Sequence, residues 1–200
     1  MKTVIYIHGK GGSPDEASSY AHLFKGAKVI GMGYSSQTPQ QAVREFPAMF
    51  DKLAAGSSEV ILIANSIGAY FAMLSLAHMP IQRAFFISPI VDMEQLILGM
   101  MKQAGVTEAM LFEQGEIVTD TGETLSAQYL RFVREHPLCW HVPTEILYAS
   151  GDALTSLETV TAFARNTGAG LTVAHGCEHR FHTAEQMETL FFWLQKHTTP

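Results

Sequence analysis

The run Val60-Ile61-Leu62-Ile63-Ala64-Asn65-Ser66-Ile67-Gly68-Ala69-Tyr70 constrains this chain more than any other stretch. It begins with residues that are apolar on both faces, as in a strand buried within a parallel sheet. An Ala- and Met-rich segment, Ala69 to His78, follows with helical character, and Pro80 ends it. So tight a change from strand to helix forces the residue at its apex into strained backbone. Small residues two before and two after it, Ala64 and Gly68, let neighbouring backbone come close. The apex is Ser66. Its hydroxyl is expected above the sheet edge, with the N–H groups of the new helix aimed at the same spot, the geometry of a nucleophile elbow. The plainer alternative is a structural turn whose serine only caps the helix.

The same alternation runs along the chain. Strands are expected at Val4 to Ile7, Ala27 to Met32, Glu59 to Ala64, Arg83 to Ile87, Glu145 to Ala149 and Leu171 to Ala174. Helices are expected at Asp15 to Phe24, from Thr38-Pro39 (N-cap and first turn) to a stop at Gly56, at Ser156 to Asn166 and at Thr183 to Lys196. Strand-helix alternation implies an α/β fold: a doubly wound, mostly parallel sheet of about six strands with helices on both faces. The alternation breaks from Asp92 to Pro137, which offers no convincing buried strand. It offers amphipathic pieces at Met93 to Gln103 and Leu125 to Glu135, separated by the polar Asp120-Thr121-Gly122-Glu123-Thr124. This insertion, 92–138, reads either as a helical lid over an apolar pocket or as extra packing helices.

Length and composition narrow the function. Two hundred residues, 47% of them apolar, suit one domain, 1–200, with a substantial core. The net charge of −6 without a basic run argues against nucleic acid or anionic membranes as partners. Cys139 and Cys177 are too few for a disulfide framework, and the first apolar run ends at Ile7, too short for a signal peptide or span. A soluble, cytoplasmic protein is expected.

The pentapeptide Ala64-Asn65-Ser66-Ile67-Gly68, after a strand and before a helix, resembles the Gly-x-Ser-x-Gly of the α/β-hydrolase family, with Ala for the first Gly. The resemblance implies a base and an acid later in the chain, in the order Ser, acid, His. Gly176-Cys177-Glu178-His179 with Phe181 looks like the family's base loop, which marks His179 as general base. His182 is the rival, and His175 reads as packed or capping. Asp152, after the strand Glu145 to Ala149, matches the family's acid, with Asp92 one strand earlier as the alternative. Alone, Asp152 could simply make a turn with Gly151. The resemblance also implies an oxyanion hole from the backbone N–H groups of Ile67 and of Lys10, in His8-Gly9-Lys10-Gly11-Gly12, with His8 bracing the loop.

These residues point to a serine hydrolase of a small carboxylic ester, thioester or amide, working through an acyl-enzyme without a cofactor. The pocket candidates are Tyr34, Met100, Met101, Leu111 and Phe112, which favour an apolar small-molecule acyl substrate. Zinc is disfavoured because His175, His179 and His182 lack a Cys pair or a His-Glu-x-x-His helix. Gly9-Lys10-Gly11-Gly12 fits neither a dinucleotide fingerprint nor a Walker loop: the second strand ends without an acid, and Lys10 precedes Gly. An acyltransferase and a non-catalytic binding protein on the same scaffold remain the alternatives.

Overall fold

The structure, a computed structural model, describes residues 1–198. In chain order it holds β1 (Lys2–Ile7), a 3-10 helix (Pro14–Leu23), β2 (Lys28–Gly31), α1 (Pro39–Ala54), β3 (Glu59–Asn65), α2 (Ile67–Ser75) and β4 (Arg83–Ile87). Then come α3 (Met93–Gln103), α4 (Glu108–Gln114), β5 (Glu116–Val118), β6 (Thr124–Ser126) and α5 (Ala127–Glu135). The chain closes with β7 (Thr144–Gly151), α6 (Leu157–Thr167), β8 (Gly170–Glu178) and α7 (Ala184–Thr198).

Six strands form one sheet in the order β2-β1-β3-β4-β7-β8, with every pairing parallel. Alternation along each strand divides the core by face. Ile5, Ile7, Leu62, Ala64, Phe86, Ile146 and Tyr148 pack with α1, α2, α6 and the segment between β4 and β7. Val4, Tyr6, Ile61, Ile63, Phe85, Leu147 and Ala149 pack with the 3-10 helix and α7. The chain steps outward from β1 to β2 and then back past β1 to β3. The carboxyl ends of β1 and β3 therefore form the crevice where open parallel sheets place ligands.

Three features differ from the sequence expectation. The first helix is a 3-10 helix, begun by a capping box in which Ser13 and Glu16 satisfy each other's backbone N–H. The segment between β4 and β7 contains a further helix, α4, and an antiparallel hairpin, β5–β6. The hairpin strands are three residues each and largely exposed, too short for alternation to show. Finally, β8 extends to Glu178, so His175 lies in an exposed part of the strand and neither packs nor caps. Met93, Ile97, Met101, Leu111, Leu125, Leu130 and Val133 of the β4–β7 segment are buried in the same cluster as α1 and α2.

Candidate active site

Ser66 joins β3 to α2 with φ 53° and ψ −122°, a conformation that costs a non-glycine residue energy. Its peptide is held from both sides. The Ser66 N–H donates to the Ile87 carbonyl (3.0 Å), and Ile90 donates to the Ser66 carbonyl (3.2 Å). The Ser66 side chain does not cap α2, which removes the capping alternative. Instead its hydroxyl stands 2.7 Å from His179 Nε2. Gly68 is obligatory for this approach, because a Cβ there would come within 2.2 Å of the His8 carbonyl oxygen.

The partners arrive from the far edge of the sheet. Gly151 of β7 pairs with Glu178 of β8 after a register shift, and a Cβ on Gly151 would meet the Cys177 carbonyl at 2.9 Å. The strand ends thus converge, and His179 and Asp152, one residue beyond each, meet. His179 Nδ1 donates to Asp152 Oδ2 at 2.7 Å, which leaves Nε2 to accept the Ser66 proton. The Asp152 side chain is fully buried, and its Oδ1 accepts the N–H groups of Leu154 (2.8 Å) and Thr155 (3.1 Å). These bonds fix the carboxylate as an acceptor aimed at the imidazole.

The rivals lie elsewhere. His182 is half exposed, with Nδ1 bonded to the Arg180 carbonyl, and Asp92 spends its carboxylate on the N-cap of α3. The turn from Asp152 to Thr155 is braced on residues that the sequence did not single out. Tyr148 donates its hydroxyl to the Thr155 carbonyl (2.9 Å), and Thr155 Oγ1 reaches the Pro89 carbonyl at 3.4 Å. Ser88, between Ile87 and Pro89, is the other non-glycine residue with positive φ among the described residues, at 41°. Its N–H donates to the Leu147 carbonyl (2.8 Å), while its flanks Ile87 and Ile90 bond to the Ser66 peptide.

The glycine loop after β1 borders Ser66. A Cβ on Gly9 would lie 3.2 Å from Ser66 Cβ. Gly12 donates to the Gly9 carbonyl (3.1 Å), closing a turn in which Gly11 has φ 73°, as a type II turn requires of its third residue. Lys10 is the second residue of that turn. The N–H groups of Lys10 and of Ile67, the first residue of α2, serve none of the loop and cap hydrogen bonds among the described residues.

The pocket candidates scatter. Tyr34 stacks on His8 (4.3 Å, 11°) and donates its hydroxyl to the His8 carbonyl (2.8 Å), so it braces the loop together with His8. Burial keeps that hydroxyl protonated well above the usual range. Met101 and Leu111 are core residues that a substrate could reach only by opening the core, and Met100 is half-buried against it. Phe112 lies under Arg131, beside an outer depression that Ser126 and Gln128 also line. No helix among the described residues is long and apolar enough to cross a membrane.

No family model and no curated protein sequence matches the chain. Solved structures do. Est1E from Butyrivibrio proteoclasticus superposes with a TM-score of 0.76 at 17% identity over 98% of this chain and 86% of that one. Another structure of Est1E has ferulic acid bound. Alpha/beta hydrolase domain-containing protein 10 from mouse gives 0.71 at 13% identity, covering 98% and 88%. An alpha-beta serine hydrolase homologue from Coxiella burnetii gives 0.64 at 14% identity, covering 100% and 85%. The chain has the α/β-hydrolase fold.

Proposed function

We propose that this chain is a serine hydrolase that cleaves a small carboxylic ester through an acyl-enzyme. The observation that carries the reading is the continuous hydrogen-bonded line from the Ser66 hydroxyl through His179 to buried Asp152. A serine hydroxyl attacks an acyl carbon only if a base removes its proton during attack. His179 Nε2 is within reach to do so, and Asp152 holds the tautomer and stabilises the imidazolium that forms. Ser66 Oγ then bonds to the acyl carbon while its proton passes to Nε2. The negative charge on the carbonyl oxygen falls to the Ile67 and Lys10 N–H groups. The tetrahedral adduct collapses, His179 gives its proton to the departing alkoxide, and the alcohol leaves. Water repeats the sequence on the acyl-enzyme and releases the acid.

An ester is favoured over an amide because its alkoxide needs less protonation to leave. A thioester would satisfy the same geometry. Two free cysteines, Cys139 and Cys177, agree with a cytoplasmic location. The segment 92–138 is an insertion within one domain. Fold neighbours whose names call them hydrolases, one of them a serine hydrolase homologue, support the reading.

Turnover of p-nitrophenyl acetate, p-nitrophenyl butyrate and methyl ferulate tests it, with labelling by a fluorophosphonate probe. Wild-type protein is expected to turn over at least one ester and to label at Ser66, and Ser66→Ala to do neither. Equal turnover by the two proteins would end the enzyme reading at Ser66 and favour a binding protein on this scaffold.

A further inference from the structure

We propose that Glu123, at the tip of the β5–β6 hairpin, acts through the Lys10 ammonium as a positioning residue for the main chain that supplies the second oxyanion donor. The inference rests on the hydrolase reading above.

The loop that carries Lys10 has few side chains of its own to hold it. Three of its residues, Gly9, Gly11 and Gly12, lack a side chain, and a Cβ on Gly11 would touch nothing within 4 Å. Its near end is pinned, because Tyr34 holds the His8 carbonyl and Gly9 rests against Ser66. Past Gly9 the turn has its own bond, from the Gly12 N–H to the Gly9 carbonyl, and a further restraint comes from across the fold. Lys10 Nζ donates to both carboxylate oxygens of Glu123, at 2.5 and 2.6 Å, between residues 113 apart in sequence.

Glu123 is itself held in place. Thr119 donates its N–H (2.8 Å) and its hydroxyl (3.0 Å) to the Glu123 carbonyl, and Gly122 turns the chain with φ 82° while donating to the Thr119 carbonyl (2.9 Å). The hairpin base is anchored: Leu125 and Leu111 are buried, and Ala127 donates to the Gly115 carbonyl at 2.8 Å. An arm anchored in the β4–β7 segment therefore ends in a carboxylate that holds the Lys10 ammonium of the loop beside the nucleophile. The loop and the arm come from separate parts of the fold, so a seated segment adds a restraint that the turn alone does not supply.

An exposed ion pair contributes little to global stability and weakens with salt. Its effect here is local. Losing an oxyanion donor outright lowers kcat by about 10²–10³-fold, so loosening one should cost less, roughly three- to tenfold. The readout is kcat against KM, because a donor aimed at the developing charge acts on the transition state and not on ground-state binding.

The experiment compares wild type, Glu123→Gln, Lys10→Glu and the double variant Lys10→Glu/Glu123→Lys on p-nitrophenyl acetate, with an aryl boronic acid as tetrahedral mimic. Glu123→Gln is expected to lower kcat roughly three- to tenfold with KM nearly constant, to weaken the boronate by a similar factor, and to leave Tm unchanged. The charge-swapped double variant should recover most of what Lys10→Glu loses. Wild-type kcat should fall as NaCl rises from about 0.05 to about 0.5 M, and Glu123→Gln should not respond. An unchanged kcat in Glu123→Gln overturns the proposal, as does a rise in KM alone, which would make Glu123 a pocket wall. A wild type that neither turns over esters nor labels at Ser66 removes the hydrolase reading first, and this one with it.

Discussion

The carbonyl oxygen of His8 lies 2.2 Å from where a Cβ on Gly68 would stand, so β1 and the first turn of α2 touch backbone to backbone. Both atoms belong to main chain that cannot swing aside. Gly68→Ala is expected to destabilise the fold by about 2–4 kcal/mol and to displace Ser66. Gly99 is the control. It lies inside α3 with nothing within 4 Å of its missing Cβ, and Gly99→Ala should stabilise by about 0.5–1 kcal/mol. Urea denaturation of the two variants measures both values.

Removing members of the Ser66–His179–Asp152 line should show non-additive losses. Ser66→Ala and His179→Ala are each expected to cut kcat by roughly 10⁴–10⁶, and Asp152→Asn by about 10⁴ through the wrong imidazole tautomer. His182→Ala should stay within about twofold, because its ring faces the Arg180 carbonyl. Steady-state kinetics on one activated ester checks all four. A large loss in His182→Ala with a small one in His179→Ala would transfer the base.

Ser88 holds φ 41° in the interior, and its hydroxyl has no hydrogen-bond partner among the described residues. Glycine adopts that conformation freely and removes the orphaned hydroxyl. Ser88→Gly is expected to stabilise by about 1 kcal/mol with kcat within about twofold. A β-branched residue cannot hold the conformation without strain. Ser88→Val should lower kcat as well as stability, since Ile87 and Ile90 grip the Ser66 peptide on either side. Kinetics on the folded fraction separates the two effects.

Glu45 offers a pH test away from the chemistry. Burial alone would raise its carboxyl, but hydrogen bonds from Ser36 and Ser35 outweigh that and hold it below the usual value. A carboxylate depressed in the folded state stabilises at neutral pH, and that stabilisation fades as pH falls through its folded value. The Tm gap between wild type and Glu45→Gln should therefore be widest near neutrality and close as the pH is lowered from about 5 toward 3. Thermal melts across that range measure it. A gap that widens toward acid would reverse the assignment.

Local pattern accounts for much of what was legible. Runs apolar on both faces marked β1 and β3, strand-helix alternation placed the other four sheet strands, and Thr38-Pro39 marked α1, whose capping box forms between Thr38 and Gln41. The small residues around Ser66 foretold its strained backbone, and at Gly68 only a residue without a Cβ admits the His8 carbonyl. The hairpin β5–β6 and the helix α4 were not legible. Three-residue strands and a seven-residue helix are shorter than the periods that reveal them.

By itself the sequence determined the parallel α/β sheet, the turn that lifts Ser66, and a short set of partners for it. It ranked His179 over His182 and Asp152 over Asp92 by family resemblance, and only the fold shows which of them lie in hydrogen-bond reach of Ser66 and of each other. Those distances depend on the register shift between β7 and β8, which brings His179 to Ser66 across 113 residues. The ion pair between Lys10 and Glu123 likewise has no signal in either residue's neighbours. Periodicity reports which face a residue presents to the nearest layer. Contacts between distant loops are fixed by how strands pair and bulge, and that belongs to the folded chain as a whole.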